Sequence, residues 1–217
     1  MQSTLKKQAK VKLNSHFGFF FLLFLPYVIL YIVGNTLDGS DYVRNRDVVL
    51  PTSVQIGALL LLLASLILVG IQFVSLDNIQ NNLTYEKGLL KSLNVFSSAK
   101  YFWGAIGIGL LKYIWVFFWT LLLIVPGIVK EIAYSQAFYI YYDSIEHGES
   151  IRFRDAITQS RHMMYGHKWE YFVLNLSFIG WNILVFLTAG LAGIWIFPYT
   201  NLTYANYYEH LKQTTLQ

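Results

Sequence analysis

The sequence predicts an all-α, polytopic membrane helix bundle of about six transmembrane helices, and three observations carry that expectation. Of 217 residues, 55% are hydrophobic and 18% aromatic, whereas 13% are charged, about half the roughly 25% usual in soluble domains. Long uncharged segments recur along the chain, and a spanning helix needs only ~20 mostly apolar residues. The cations, finally, divide unevenly between the two sides that those segments define. Such a chain forms a single integral membrane domain over 1–217, with the lipid bilayer as its first partner and little chain left for a separate catalytic domain.

Residues 17–37 carry no charge and follow Lys6, Lys7, Lys10 and Lys12. A signal peptide opens in the same way, but no small-x-small cleavage site follows, since the segment runs into Thr36-Leu37-Asp38-Gly39. It is therefore a retained first span. Residues 54–76 are again uncharged and long enough to exceed the ~30 Å hydrocarbon core. The third span, 103–125, holds the single charge Lys112 and stops at Pro126-Gly127, a pair that ends one helix and turns the chain. The fourth, 128–145, returns with Lys130, Glu131 and Asp143 inside it. Residues 171–208 are uncharged and too long for one pass, so they divide into 171–188 and 191–208, with Ala189-Gly190-Leu191-Ala192-Gly193 as the turn.

An even number of spans puts both termini on one side. If that side is cytoplasmic, it collects Lys6, Lys7, Lys10, Lys12, Lys87, Lys91, Lys100, Arg152, Arg154, Arg161, Lys168 and Lys212, leaving Arg44, Arg46 and Lys130 opposite. Cytoplasmic loops carry excess Lys and Arg, so the chain is N-in and C-in. The net charge of +4 then reports topology and anionic lipid rather than nucleic acid. No nucleic-acid partner is expected.

Between the fourth and fifth spans, Phe153, Ala156, Ile157, Ser160, Met163, Met164 and His167 recur at helical spacing. They mark a cytoplasmic amphipathic helix over about 151–165, with Ser150 as cap and Gly166 as left-handed stop. It either lies along the membrane surface or straps the bundle from beneath. Leu89, Leu90, Leu93 and Phe96 suggest a shorter counterpart in the earlier loop.

Charge within hydrocarbon costs about 2.5 to 3.5 kcal/mol even on insertion scales, which singles out Lys112. Measured from a turn at Pro126-Gly127, Lys112 and Asp143 lie at similar depths, ~21 and ~24 Å, so the two could pair. Glu131, Ser135, Tyr139 and Asp143 recur every four residues on the returning helix, while Asn175 and Asn182 share a face of the fifth span. Tyr199, Thr203 and Asn206 share a face of the sixth, and Tyr27, Tyr31 and Asn35 a face of the first. Polar faces avoid lipid by turning to one another. The candidate intramembrane polar site is thus Lys112, Glu131, Ser135, Tyr139, Asp143, Asn175 and Asn182, with interhelical hydrogen bonding as the structural alternative to a solute pathway. Ala105 with Gly109, and Ala189 with Gly193, have the spacing for close helix approach. Trp103, Tyr171 and Tyr207 fit interfacial belts. Pro26-Tyr27 and Pro198-Tyr199 fall in oppositely directed spans, as an inverted repeat would place them.

Enzyme signatures are missing: no His-Glu-x-x-His, no Gly-x-x-x-x-Gly-Lys and no Gly-x-Ser-x-Gly. The chain has no cysteine, and His162 and His167 fall on different helix faces. No catalytic residue, metal or cofactor is expected.

Ser160-Arg-His-Met-Met-Tyr-Gly166-His-Lys168, Leu176-Ser-Phe-Ile-Gly-Trp181, Gly190-Leu-Ala-Gly-Ile-Trp-Ile-Phe-Pro198-Tyr199 and Tyr207-Tyr208 resemble a family of bacterial integral membrane proteins known as domain of unknown function 975. Pro126-Gly127 and the tyrosine-rich stretch ending at Asp143 resemble it too, so the likeness covers about 100–210. It implies a multi-pass protein of the bacterial cytoplasmic membrane and supplies no reaction. The expected function is a non-enzymatic scaffold, a stress or immunity component, or a partner-binding protein, meeting a membrane-protein partner or a second copy of itself. The alternative is a small-solute or lipid transporter built around Lys112 and Asp143.

Overall fold

The computed structural model describes residues 2–37, 52–80, 83–188 and 190–215, and every element among them is helical. Arg44, Arg46 and Ala189 lie outside the described residues. In order the helices are α1 (Gln2–Ser15), α2 (Phe17–Thr36), α3 (Thr52–Ile79), α4 (Gly88–Lys91), a 3-10 turn (Asn94–Phe96), α5 (Ala99–Leu122), α6 (Ile124–Ala133), α7 (Ala137–Glu146), α8 (Phe153–Met163), α9 (Lys168–Leu176), α10 (Ile179–Leu187) and α11 (Gly193–Thr215).

Among the described residues, four segments are long and apolar enough to cross a membrane: α2, α3, α5 and the α9–α10 pair over Lys168–Leu187. Their apolar side chains are largely left uncovered by the protein. Only 11% of the α5 window is buried, and Leu110, Tyr113, Phe117, Phe118 and Leu121 all stand exposed on it. A contiguous apolar face of this extent needs a non-aqueous neighbour, and lipid supplies one. These four helices correspond to the spans expected at 17–37, 54–76, 103–125 and 171–188.

The expected fourth span, 128–145, is divided. α6 and α7 have ten residues each, ~15 Å apiece, and they meet at a break over Tyr134, Ser135 and Gln136. The expected sixth, 191–208, lies within α11, a 23-residue helix carrying Pro198 that falls short of the hydropathy of the four.

The turn before α6 also sits elsewhere than expected. Leu123, with φ −160° and ψ 140°, is the extended residue that ends α5 and starts α6. Pro126 and Gly127 instead belong to the first turn of α6. Proline is tolerated there because first-turn amides have no intrahelical acceptor. Gly127 lets α6 lie against α5, since a Cβ would meet the Thr120 Cα at 2.9 Å. At the later turn the sequence reading holds: Gly190 adopts φ +91° between α10 and α11.

Two elements differ from expectation. Residues 2–15 form a helix, α1, which buries Leu5, Ala9 and Leu13 against α11 and α2. Its four lysines hid a four-residue apolar repeat. The amphipathic helix is present as α8, but it starts at Arg152 without a side-chain cap, so Ser150 is not the capping residue. Gly166 does take φ +84° beyond its end. Ala156, Ile157 and Ser160 are buried against the bundle, so α8 is the strap of the two alternatives.

Candidate functional site

Ser135 sits in the break between α6 and α7, and the break is held from outside. The Ser160 hydroxyl donates to the Ala133 carbonyl at 2.9 Å and accepts the Gln136 amide at 3.1 Å. It thereby satisfies a donor and an acceptor that an unbroken helix would pair internally. The break is buried in protein on one side and lines a cavity on the other, so its backbone groups need protein partners of this kind.

Beside the break lies a cavity of about 390 Å³. Lys112 enters it from α5, Glu131 from α6, Ser135 from the break, Tyr139 from α7 and Asn175 from α9. Five of the seven expected site residues therefore share one cavity. Gln72, Tyr171 and Tyr204 complete its polar lining. The Tyr204 hydroxyl donates to Asn175 Oδ1 at 2.7 Å, and Asn175 Nδ2 donates to the Tyr171 carbonyl at 2.8 Å. The Tyr171 and Tyr204 rings meet with centroids 5.6 Å apart. Lys112 and Glu131 line the same cavity with opposite charges, yet among the described residues no ion pair closes between them.

Asp143 and Asn182 are elsewhere. Asp143 pairs with Lys212 of α11, Oδ2 to Nζ 2.7 Å, and accepts from Gln80 and Tyr208 at 2.9 Å each. The expected Lys112–Asp143 pairing fails for a reason of depth. With the turn at Leu123, Lys112 lies about 11 residues or ~16 Å away along α5, whereas Asp143 lies about 20 residues or ~30 Å away along α6–α7. Glu131, about 8 residues from the same turn, is the acid at the depth of Lys112. Asn182 is exposed on α10. Tyr199, Thr203 and Asn206 are buried as expected, while Tyr31 and Asn35 are exposed.

The Asp143 cluster belongs to the end of the bundle where α1, α3, α5, α7 and α11 converge. There Tyr142 donates to Asp77 at 2.9 Å, Tyr101 donates to Glu146, and Lys12 of α1 donates to the Asn78 carbonyl. Burial lowers the Lys12 ammonium from its ordinary value.

Gln136, Ser160, Gln72, Tyr171 and Tyr204 were not foreseen as site residues. Gln136 is fully buried and donates to Ser135 Oγ at 2.8 Å, while its own Oε1 has no partner among the described residues. Tyr171 and Tyr207, expected in an interfacial belt, are instead a cavity wall and a core residue, the latter donating to the His167 carbonyl at 3.2 Å. Trp103 is 60% exposed, as a belt residue would be. Four-residue polar spacing on 171 and 175, and on 131, 135 and 139, was the available signal.

No group of three or more His, Cys, Asp or Glu suited to a metal occurs among the described residues. No curated protein and no solved structure matches the chain. One family model does, over residues 121–215, a segment that contains Glu131, Ser135, Tyr139, Asn175 and Tyr204 but not Lys112. That family is described as protein of unknown function (DUF975), and the C-terminal residues that resemble it are the ones its model matches.

Proposed function

We propose that the chain is a non-enzymatic, six-pass protein of the bacterial cytoplasmic membrane, with both termini inside, that takes a small polar solute or lipid headgroup into the cavity beside the α6–α7 break. α6 and α7 together make the fourth pass and α11 the sixth. Translocation is the activity this arrangement suits.

A single observation carries the proposal: Lys112 and Glu131, opposite in charge and on neighbouring antiparallel helices, face one cavity of about 390 Å³ without closing on each other. Charges inside a membrane are expensive and ordinarily mark substrate or ion pathways. Volumes of roughly 300–1,000 Å³ suit small ligands, and transporters place broken helices beside their substrate sites. α8 offers a partner little apolar surface, since Ala156, Ile157 and Ser160 are buried against the bundle.

The experiment is a thermal-shift panel on purified protein, using amines, acids, zwitterions and phospholipids. At least one class should stabilise the wild type by roughly 2–3 kcal/mol near saturation, and Lys112→Met and Glu131→Gln should abolish that response while eluting as the same monodisperse species. A flat panel, or loss of folded protein in both variants, would overturn the proposal in favour of a structural charge pair.

A further inference from the structure

The cavity has a side door. A second hollow of about 300 Å³ shares Lys112, Glu131 and Phe138 with it and is otherwise lined by Gly109, Tyr113 and Val116 of α5. Tyr113 is 69% exposed, on the same uncovered face as Leu110 and Phe117, so this opening points where acyl chains run. An aqueous solute arriving from that direction would first have to cross lipid. A lipid headgroup would not.

Gly109 marks the sill. At Gly104 and Gly107, the Tyr141 and Phe153 rings fill the space that a Cβ would need, so those glycines serve packing. At Gly109 the nearest atom to a built Cβ is Phe138 Cζ at 3.8 Å. The expected close helix approach at Ala105 and Gly109 is therefore absent at Gly109, and its lack of a side chain leaves an opening instead. Behind the sill stand one cation and one anion. An anionic headgroup would satisfy Lys112 and leave Glu131 facing a like charge, whereas a zwitterion pairs both.

From these facts, and resting on the binding function above, we infer that the cavity holds the zwitterionic headgroup of a membrane phospholipid that enters sideways past Gly109, with phosphate toward Lys112 and ammonium toward Glu131. Phe138, Tyr171 and Tyr204 line the same cavity, and aromatic rings attract an ammonium. At ~16 Å from the Leu123 turn, in a hydrocarbon core ~30 Å thick, the headgroup would sit midway between the leaflets. A lipid changing sides passes through that position.

The test is lipid retention by full-length protein in micelles containing equimolar phosphatidylethanolamine and phosphatidylglycerol, read by native mass spectrometry. The wild type should keep one phosphatidylethanolamine with about tenfold or greater preference, a difference of roughly 1.4 kcal/mol. Gly109→Leu, which fills the sill, and Glu131→Gln should each remove that preference, and Gly109→Ala should retain it. Should Gly109→Leu fail to fold, Val116→Trp blocks the same hollow from two turns further along α5. Equal retention of the two lipids, or a preference untouched by both blocking variants, overturns the inference. If acyl-free glycerophosphoethanolamine stabilises the protein and no phospholipid is preferred, the cavity takes a soluble zwitterion: the lateral route falls and the binding function stands. If neither binds, both fall.

Discussion

The Ser160 hydroxyl donates to the Ala133 carbonyl at 2.9 Å, joining residues 27 apart in sequence where the α6–α7 segment loses its helical ladder. With the Gln136 amide as its second partner at 3.1 Å, Ser160 holds the break beside which Ser135 lines the cavity. The strap helix α8 is thus part of the site's architecture, although it contributes nothing to the cavity lining.

Ser160→Ala should therefore destabilise more than the loss of one surface hydroxyl. It leaves a buried carbonyl and a buried amide unsatisfied, each worth about 1–3 kcal/mol, against no exposed area at the site. Thermal or denaturant unfolding of the purified variant in detergent should show a loss of about 2 kcal/mol or more. Unchanged stability would mean that the break holds itself.

Asp143 and Lys212 should couple, and Asp143 and Lys112 should not. A double-mutant cycle of Asp143→Asn with Lys212→Met is expected to return about 1 kcal/mol or more of interaction energy, since the carboxylate is 10% and the lysine 26% exposed. The cycle of Asp143→Asn with Lys112→Met should return a value within about 0.5 kcal/mol of zero. A coupling of equal size in both cycles would place Lys112 back beside Asp143.

The long apolar helices were legible because hydropathy is a local property: 17–37, 54–76 and 103–125 declare themselves without reference to any partner. The break at Tyr134, Ser135 and Gln136 was not legible, because it contains neither proline nor glycine. Its open carbonyl and amide are met by Ser160, far along the chain. Misplacing the hairpin turn by three residues had the larger consequence, since it moved Asp143 to the depth of Lys112 and drew the wrong pair. The four-residue stripe was real, but each step drifts ~40° around the helix, so residues 131, 135 and 139 reach the cavity and 143 turns toward α3 and α11. In α1, four lysines outweighed the repeat of Leu5, Ala9 and Leu13, which only burial against α11 makes meaningful.

Gly127 and Gly109 should respond oppositely to the same methyl group. Gly127→Ala pushes a Cβ to within 2.9 Å of the Thr120 backbone, and prying α5 from α6 should cost about 1–3 kcal/mol of stability. Gly109→Ala meets only the Phe138 ring at 3.8 Å, an ordinary contact, and should be neutral or stabilising by up to about 1 kcal/mol in a helix interior. Parallel melting curves of the two variants decide it: equal losses would mean that both glycines serve packing.

The number of passes can be settled at Glu149, in the link between α7 and α8. If only the four strongly apolar segments cross, α5 delivers the chain to the outer side and residues 124–167 stay there until Lys168–Leu187 returns it, so Glu149 is outside and Gln213 inside. If α6–α7 and α11 also cross, Glu149 and Gln213 are both inside, along with Arg152, Arg154 and Arg161. The chain has no cysteine, so Glu149→Cys and Gln213→Cys each give a single site for a membrane-impermeant maleimide applied to intact cells and to inverted vesicles. We expect both to react only in inverted vesicles, because three arginines left outside would run against the bias of cytoplasmic loops for basic residues. Labelling of Glu149→Cys in intact cells would remove two passes, leave the Lys112–Glu131 cavity without a continuous wall of spans, and withdraw the translocation proposal with it.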